Sequence, residues 1–488
     1  MRALFAFCLL ALAAGCAPRV EKAPHIVVLI ADDLGLDHAP CHSAEVKMPF
    51  LESLCGEAVV YVRAYTHPYC TPSRATMMTG RHTFRTGAGD VRFDAAKLPL
   101  EEITLPEHVR ATSPAPYRFA AFGKWHLADD GNGGPANPNL QGFDHFEGTP
   151  TQRQTYSYFD YDWVRNGEIV GPGEAYRTTK IADAVLHDFS REHEAAPQFY
   201  WVGFVNPHLP FHTPPYKLHS QPHLPQVYWR SAAAPGPGAF RLQDRDARLD
   251  PYFDAMLEAL DTELERIVNT IQATTERPVV FVFLGDNGTS AEVYQGDASG
   301  GYRAKASLYE GGVRAPLMIW SNNNEALGLR PGRRGTLVHL ADLFPTLSSQ
   351  AGATSPSHAI DGVDFSATLF DPAAASSRAF AYLERGNHAR MPFAYAAVDA
   401  EGFKLILREP DRPTSYAAGV LIELYDTTRD PGEVRNLMVE DCAANLARAQ
   451  ALFAFLDSKL AQDTARHTSY DHALYAPLVE PDACGRRD

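Results

Sequence analysis

PVVFVFL, residues 278–284, is a continuous apolar stretch rich in β-branched and aromatic side chains. Similar runs recur at residues 26–31 (IVVLIA), 118–122 (RFAAF) and 199–205 (FYWVGFV). Such runs are typical of strands at the centre of a mostly parallel sheet that is covered on both faces. A helical pattern is clearest at residues 252–274, where leucine and isoleucine recur along one face. The sequence therefore predicts an α/β fold with a large, mostly parallel mixed sheet sandwiched by helices.

The last part of the chain has a different pattern. Residues 394–398, 404–407 and 421–425 are typical of short antiparallel strands, and residues 442–461 of a helix. We expect a smaller α+β domain that carries an antiparallel sheet and closes one edge of the large sheet. The expected organisation is an export segment at residues 1–16, a large domain at 24–375, the smaller domain at 376–470 and a tail at 471–488.

Length and charge limit the classes of function. With 488 residues, the chain exceeds one average domain. It carries 44 Lys and Arg against 59 Asp and Glu, a formal net charge of −15. That balance disfavours nucleic-acid binding, because such binding relies on cations that neutralise phosphates. A small anionic substrate remains compatible with a few local cations.

The N-terminus has the features of an export signal. Arg2 precedes an apolar run at residues 3–14, which is about half the ~20 residues needed to span a bilayer. Ala13-Ala14-Gly15-Cys16 resembles a bacterial lipobox, with Ala13 in the place of the usual Leu. We expect an exported protein, either a lipoprotein anchored through Cys16 or a periplasmic protein with a cleaved signal peptide. Both locations are oxidising.

Five cysteines remain once the two in the export segment are set aside, so one thiol is left over. Proximity along the chain makes Cys41–Cys55 and Cys442–Cys484 plausible disulfides, although the sequence leaves the pairing open. The remaining cysteine by this count is Cys70. It is either a small buried apolar residue or a reactive group.

Polar side chains follow four of the predicted strands. Ligands of open α/β sheets lie outside the carboxyl ends of the strands. Each polar group taken alone also fits a helix cap or a turn. The four strand exits carry Asp32-Asp33, Gly123-Lys124-Trp125-His126, Asn206-Pro207-His208 and Gly285-Asp286-Asn287-Gly288.

Two kinds of chemistry are indicated at these exits. Asp32, Asp33, Asp286 and Asn287 together supply carboxylate and amide oxygens, which suit Ca²⁺ or Mg²⁺ rather than zinc. A Lys and a His two residues apart, as in the second exit, suit anion binding combined with proton transfer.

The histidines that follow residues 199–205 are ambiguous. His208 and His212 have the spacing of a zinc-binding helix, but Pro210 and Pro214 make a helix there improbable. We take His208 as the functional histidine of this loop, with His212 as the alternative.

Residues 67–81 (HPYCTPSRATMMTGR) predict a helix that begins at Cys70. Pro72 fits the first turn of that helix, and Gly80 can close it. Cys70 would then lie at a helix N-terminus, where unpaired N–H groups favour an anion. Arg74 follows one turn later on nearly the same face.

These segments resemble the type I, formylglycine-dependent sulfatases of the alkaline phosphatase superfamily. The similarity begins with CTPSR at residues 70–74, followed by TGR at 79–81, and it covers nearly the whole mature chain. Further matching segments are DDLG at 32–35, GKWHL at 123–127, DNG at 286–288, KASLYEGG at 305–312, DLFPTL at 342–347 and ELYD at 423–426.

The resemblance implies a sulfuric ester hydrolase and a role for each matching residue. Cys70 would be oxidised to Cα-formylglycine by a formylglycine-generating enzyme. Asp32, Asp33, Asp286 and Asn287 would hold a Ca²⁺, or a Mg²⁺, that also touches residue 70. Arg74 and Lys124 would steady the formylglycine hydrate and the sulfate, and His126 would serve residue 70. His208, as the acid, and Lys305 would face the leaving group.

Two other functions share parts of this pattern. A phosphate or phosphonate monoester hydrolase of the same superfamily could use the same metal ligands. A lipoprotein that binds sulfated glycans could keep Cys70 unmodified and have no activity. Among sulfate esters, a carbohydrate is favoured over a simple aryl sulfate, because aromatic residues crowd positions 156–163 (YSYFDYDW) and sugar rings often pack on such faces. These aromatics could equally belong to the core.

Overall fold

The computed structural model describes residues 23–43, 47–91, 97–151, 157–173, 175–221, 223–225, 249–296, 302–386, 393–408, 422–462 and 484. The export segment with Cys16, Tyr156 and nearly all of the predicted tail lie outside the described residues. Their assignments stay predictions.

A ten-stranded mixed sheet forms the centre of the protein, in the order β11-β2-β10-β9-β1-β8-β4-β5-β6-β7. Strand β1 lies parallel to both of its neighbours, β8 and β9, and β8 is also parallel to β4. The mostly parallel mixed sheet predicted from the apolar runs is confirmed. Strands β3 and β12 form a separate two-stranded sheet. The strands of these two sheets are β1 His25–Ala31, β2 Val59–Tyr61, β3 Ala64–Tyr65, β4 Arg118–Ala128, β5 His145–Thr151, β6 Asp162–Arg165, β7 Glu168–Pro172, β8 Gln198–Gly203, β9 Val279–Gly285, β10 Leu317–Ser321, β11 Gly332–Arg334 and β12 Val338–His339.

Helices cover both faces of this sheet. The helices among the described residues are α1 Pro49–Ser53, α2 Cys70–Thr79, α3 Thr83–Thr86, α4 Leu105–Thr112, α5 Asn137–Leu140, α6 Arg177–Glu192, α7 Asp250–Thr274, α8 Glu310–Val313, α9 Asn324–Leu327, α10 Leu343–Gln350, α11 Ala367–Phe370, α12 Leu437–Glu440 and α13 Cys442–Leu460. Val27 and Leu29 of β1 pack in the cluster that contains α6 and α7. Val28 and Ile30 face the opposite cluster, with α2, α4 and α10. Because successive strand residues point to opposite faces, a strand buried on both sides is apolar throughout.

A second sheet of four antiparallel strands follows near the C-terminus, as expected. Its strands are β13 Phe380–Arg385, β14 Ala394–Asp399, β15 Phe403–Arg408 and β16 Ile422–Asp426. The last three were predicted from the sequence pattern, and β13 was not. Helix α13 covers one face through Leu452 and Leu456. The other face packs on Tyr65 and Val313 of the large domain. The boundary at residue 376 stays a prediction.

The two expected disulfides, Cys41–Cys55 and Cys442–Cys484, are both formed. Cys70 is the free cysteine of the described part of the chain, and it is buried. No helix within the described ranges combines the length and the apolar character needed to cross a membrane.

Three buried histidines meet between the short strand pair β3 and β12 and strand β13 of the C-terminal sheet. His67, His82 and His339 are fully buried, with ring centroids 4.8 to 5.7 Å apart. His67 Nδ1 accepts a hydrogen bond from the amide of Glu384 on β13, at 3.4 Å. Burial lowers the pKa of His67 to about 4 and holds the pKa values of the other two well below the ordinary value. All three rings are therefore neutral in the folded protein near pH 7.

Acidification is expected to destabilise the protein through this cluster. The unfolded chain takes up a proton on His67 as the pH falls through about 6.5, whereas the folded chain resists until about 4. Stability contributed by the neutral ring is thus complete above pH 6.5 and is lost as the pH falls toward 4. From pH 7 to pH 5 the loss is about 2 kcal/mol for His67 alone.

Urea unfolding between pH 7 and pH 5 measures this effect. The slope of the free energy of unfolding against pH measures how many protons are taken up on unfolding. His67→Asn should lower that number by about one. His187→Gln, at an exposed position of α6, serves as the control. An equal pH dependence in the wild type and in His67→Asn would contradict the assignment.

Candidate active site

The strand register brings the predicted polar exits together. Ala31 at the end of β1 pairs with Gly285 at the end of β9, so Asp32 and Asp286 leave the sheet side by side. Gly203 of β8 pairs with both Ile30 of β1 and Gly123 of β4. All four exits therefore meet at one rim, as expected for parallel strands.

Three carboxylates and three cations pair at this rim. Lys124 Nζ lies 2.5 Å from Asp32 Oδ2, and Lys305 Nζ lies 2.5 Å from Asp33 Oδ1. Arg74 contacts Asp286 Oδ2 at 2.8 Å through Nε. The three charges of each sign cancel, so a divalent cation would leave the cluster with an excess of two positive charges. That excess suits an anionic substrate.

The charges shift the pKa values of the carboxyl groups in different directions. Burial alone would raise the pKa of Asp33, but Lys305 and His208 outweigh it and hold that pKa well below its usual range. Burial, together with the charge of Asp32, raises the pKa of Asp286 to about 6 in spite of Arg74. Of these two carboxyl groups, Asp286 is thus the one whose charged form its surroundings stabilise less.

Two buried oxygens fit a metal ion. Asp32 Oδ1 and Asn287 Oδ1 are buried and have no hydrogen-bond partner among the described residues. Ligand atoms of Asp32, Cys70 and Asp286 lie within 4.8 Å of one another. Carboxylate and amide oxygens are the donors that Ca²⁺ and Mg²⁺ prefer, and a buried oxygen without a partner is costly. The donor set therefore fits a divalent hard cation.

Cys70 is the first residue of α2, as the sequence predicted, and Gly80 closes the helix in the left-handed conformation. The thiol is 2 % exposed, and its Sγ lies 3.1 Å from His126 Nδ1. Burial raises the pKa of the Cys70 thiol, although Lys124 opposes the shift. A thiol in this state is a weak nucleophile.

Lys124 and His126 lie inside β4, which continues to Ala128, and not after its end as predicted. The register of β4 against β5 shifts between Lys124 and Ala128. Gly123 has a φ of +78°, and a Cβ there would lie 2.1 Å from the carbonyl oxygen of Gly203. This irregular strand end, which the apolar pattern does not predict, carries Lys124 to Asp32 and His126 to Cys70.

His208 and His212 have different surroundings. His208 Nδ1 donates to the carbonyl of Leu209 at 2.6 Å, because a carbonyl only accepts, and Nε2 lies 3.9 Å from Asp33 Oδ2. His212 is buried against Tyr158, with ring centroids 4.1 Å apart. The structure thus brings His208 to the carboxylates and leaves His212 in the core.

The interpretation of residues 156–163 as a sugar-binding face is not supported. Tyr158, Tyr161 and Trp163 are between 1 % and 4 % exposed and pack in the core. Their alternation with polar residues is that of a half-buried segment, which sequence alone does not distinguish from a ligand platform.

Two residues near the site were not singled out from the sequence. Ser290 Oγ donates to Asp33 Oδ2 at 3.0 Å, and Thr66 Oγ1 donates to the carbonyl of Asp286 at 2.6 Å. Ser290 lies only three residues after Asn287, so its closeness in sequence to the polar segment after β9 could have identified it. For Thr66 the sequence offers none, since the contact spans 220 residues.

The fold and these side chains define a hydrolase of the alkaline phosphatase superfamily with a site for an anionic ester. The sulfatase family model matches residues 24–353, and the chain belongs to the sulfatase family. It is therefore a sulfuric ester hydrolase of the type I class.

Relatives of known name agree with this assignment. The chain is 30 % identical over 475 residues to human arylsulfatase A, covering 91 % of this chain and 89 % of that protein. It is 26 % identical over 364 residues to human N-acetylgalactosamine-6-sulfatase, covering 71 % and 66 %. The solved structure of BT4656 in complex with its substrate D-glucosamine-2-N,6-O-disulfate superimposes with a TM-score of 0.72 at 19 % identity, covering 91 % of this chain and 99 % of that one.

Proposed function

We propose that this sulfatase hydrolyses the sulfate ester of a carbohydrate and that its reactive group is a Cα-formylglycine made from Cys70. The observation that carries the proposal is the placement of Cys70. Its Sγ lies 3.1 Å from His126 and within 4.8 Å of ligand atoms of Asp32 and Asp286. The hydrate of such an aldehyde offers one hydroxyl that attacks sulfur and a second whose deprotonation expels sulfate.

A divalent cation, taken to be Ca²⁺ with Mg²⁺ as the alternative, would be held by Asp32, Asp33, Asp286 and Asn287. When bound, such an ion supplies charge that acidifies an oxygen ligand and offsets negative charge on the sulfate. The unpartnered oxygens of Asp32 and Asn287 support this choice of ligands.

Four of the remaining side chains differ in burial: two are fully buried and two are partly exposed. Arg74 and Lys124 are fully buried and stabilise charge on the inner side of the sulfate group. The side chains of His208 and Lys305 are 15 % and 18 % exposed, so they face the side from which a substrate arrives. His126 accepts the proton from residue 70. His208 Nε2, beside Asp33, is placed to give a proton to the departing alcohol. Burial lowers the pKa of His208, and the charge of Asp33 opposes that shift.

A carbohydrate sulfate is proposed because N-acetylgalactosamine-6-sulfatase is among the relatives. Turnover of sulfated glucosamines and galactosamines should be compared with that of an aryl sulfate and of the matching phosphate esters. Faster cleavage of a sugar sulfate than of its phosphate supports the proposal. Preference for the phosphate or phosphonate would favour the alternative hydrolase, and cleavage of the aryl sulfate alone would reject a carbohydrate substrate.

Conversion of Cys70 is expected to precede folding. Cys70 is 2 % exposed, and Thr71, Pro72, Ser73 and Arg74 are buried with it in α2. A formylglycine-generating enzyme must reach this segment, so the folded thiol form should resist it. Incubation of folded protein, of urea-unfolded protein and of a peptide covering residues 67–81 with that enzyme measures the difference. The converted peptide is about 18 Da lighter, and rapid conversion of the folded form would contradict the expectation.

We also propose that the protein is exported, as a periplasmic protein or a lipoprotein anchored at Cys16. The two disulfides support an oxidising compartment. Labelling with a radioactive fatty acid, compared between the wild type and Cys16→Ala, tests the anchor. Equal labelling of both proteins would reject it.

A further inference from the structure

The loop that follows β8 carries His208 and is tied to its surroundings at Asn206. The carbonyl of Asn206 accepts from the amide of Asp32 at 3.0 Å. Its side-chain amide donates to the hydroxyl of Tyr176 at 2.9 Å and to the carbonyl of Met256 at 3.0 Å. These bonds fix the start of the loop, two residues before His208.

Tyr158 holds the part of the loop that carries His208 itself. Its hydroxyl lies 2.7 Å from the carbonyl oxygen of His208 and 2.9 Å from that of Val205. The ring is 1 % exposed and packs on that of His212, with centroids 4.1 Å apart. A single O–H is thus shared between two carbonyls. Its loss would leave the half-buried carbonyl of His208 without this donor, whereas the carbonyl of Val205 keeps the amide of His208 at 2.8 Å.

The direction of the His208 ring depends on the same backbone. Nδ1 donates to the carbonyl of Leu209, so the imidazole is anchored to its own loop and presents Nε2 toward Asp33. A shift of the peptide between His208 and Leu209 would turn Nε2 away from the leaving group. A misplacement of about 1 Å in an active site can cost about 100-fold in rate.

We propose that Tyr158 is a positioning residue that holds His208 in place to protonate the leaving alcohol. The inference rests on the proposed function, because it gives His208 that role. The hydroxyl of Tyr158 bonds to backbone carbonyls, so its effect passes through the backbone of residues 205–208.

Tyr158→Phe tests the inference with two sulfate esters of different leaving groups. An alkyl or sugar alcohol needs a proton to depart, whereas 4-nitrophenolate does not. We expect kcat/KM to fall about tenfold for the alkyl sulfate and less than about threefold for 4-nitrophenyl sulfate. His208→Gln should show the same dependence on the leaving group with a larger loss. The double variant should lose no more than His208→Gln alone.

Tyr161→Phe is the matched control. Tyr161 is 4 % exposed, and its hydroxyl donates to the carbonyl of Ala175 at 2.9 Å rather than to a carbonyl of residues 205–208. It should lower the thermal midpoint as Tyr158→Phe does without any dependence on the leaving group. Equal losses for both esters in Tyr158→Phe, or additive losses in the double variant, would overturn the inference.

Two further results separate the possible failures. If His208→Gln shows no dependence on the leaving group, the acid role of His208 in the proposed function is wrong. If Tyr158→Phe is not recovered folded, Tyr158→His keeps an aromatic ring with a shorter donor and should show the same selective loss. A uniform loss in Tyr158→His would reject the positioning role.

Discussion

Cys70→Ser is expected to fold normally and to lose at least about 10⁴-fold in kcat/KM toward sulfate esters. The oxygen replaces sulfur at the N-terminus of α2 with little change in shape, so His126 and the three carboxylates keep their places. A serine hydroxyl can accept the sulfuryl group, but it lacks the second hydroxyl that would expel sulfate. The variant should therefore stop after one turnover.

Mass spectrometry distinguishes this result from simple inactivation. After incubation with substrate, Cys70→Ser should carry an adduct of about 80 Da on the peptide that contains position 70. Cys70→Ala is the matched control and should carry none, and the peptide mass before incubation confirms an intact serine hydroxyl. Steady turnover by Cys70→Ser within about tenfold of the wild type would refute the formylglycine proposal.

Much of the site could be predicted because it lies where apolar strands end. Asp32 and Asp286 follow β1 and β9 directly, and parallel pairing places the ends of such strands at one rim. The helix start at Cys70 was likewise visible in local residues, Pro72 and Gly80. These features depend on the residues of short segments and on the direction of the chain, and both can be read from the sequence.

Other features depend on contacts between distant segments, which no local pattern contains. The irregular end of β4 that carries Lys124 and His126 follows Gly123, whose backbone packs against that of Gly203. The aromatic segment at Tyr158 looked like a sugar platform because burial cannot be read from residue type. Lys305 follows no predicted strand, and only the resemblance to sulfatases assigned it to the site.

Removal of the Asp32 carboxylate is expected to have the second largest effect. In Asp32→Asn the side chain keeps its size but loses the charge that attracts a cation and balances Lys124. We expect loss of the bound divalent ion and a fall of at least about 10³-fold in kcat/KM. Metal content after dialysis, measured by mass spectrometry, checks the first effect, and steady-state kinetics at saturating Ca²⁺ checks the second.

Two comparisons separate metal binding from general damage. Lys124→Met breaks the same buried pair from the other side, so it should reduce activity while the ion stays bound. Asp342→Asn breaks the buried Arg378–Asp342 pair, joined at 2.8 Å, and should lower stability by about 3–5 kcal/mol without loss of the metal. If Asp32→Asn resembles Asp342→Asn, Asp32 acts only as a partner of Lys124. If it alone loses the ion, the unpartnered Oδ1 of Asp32 is a metal ligand, and the three carboxylates gather at the rim because a cation binds among them.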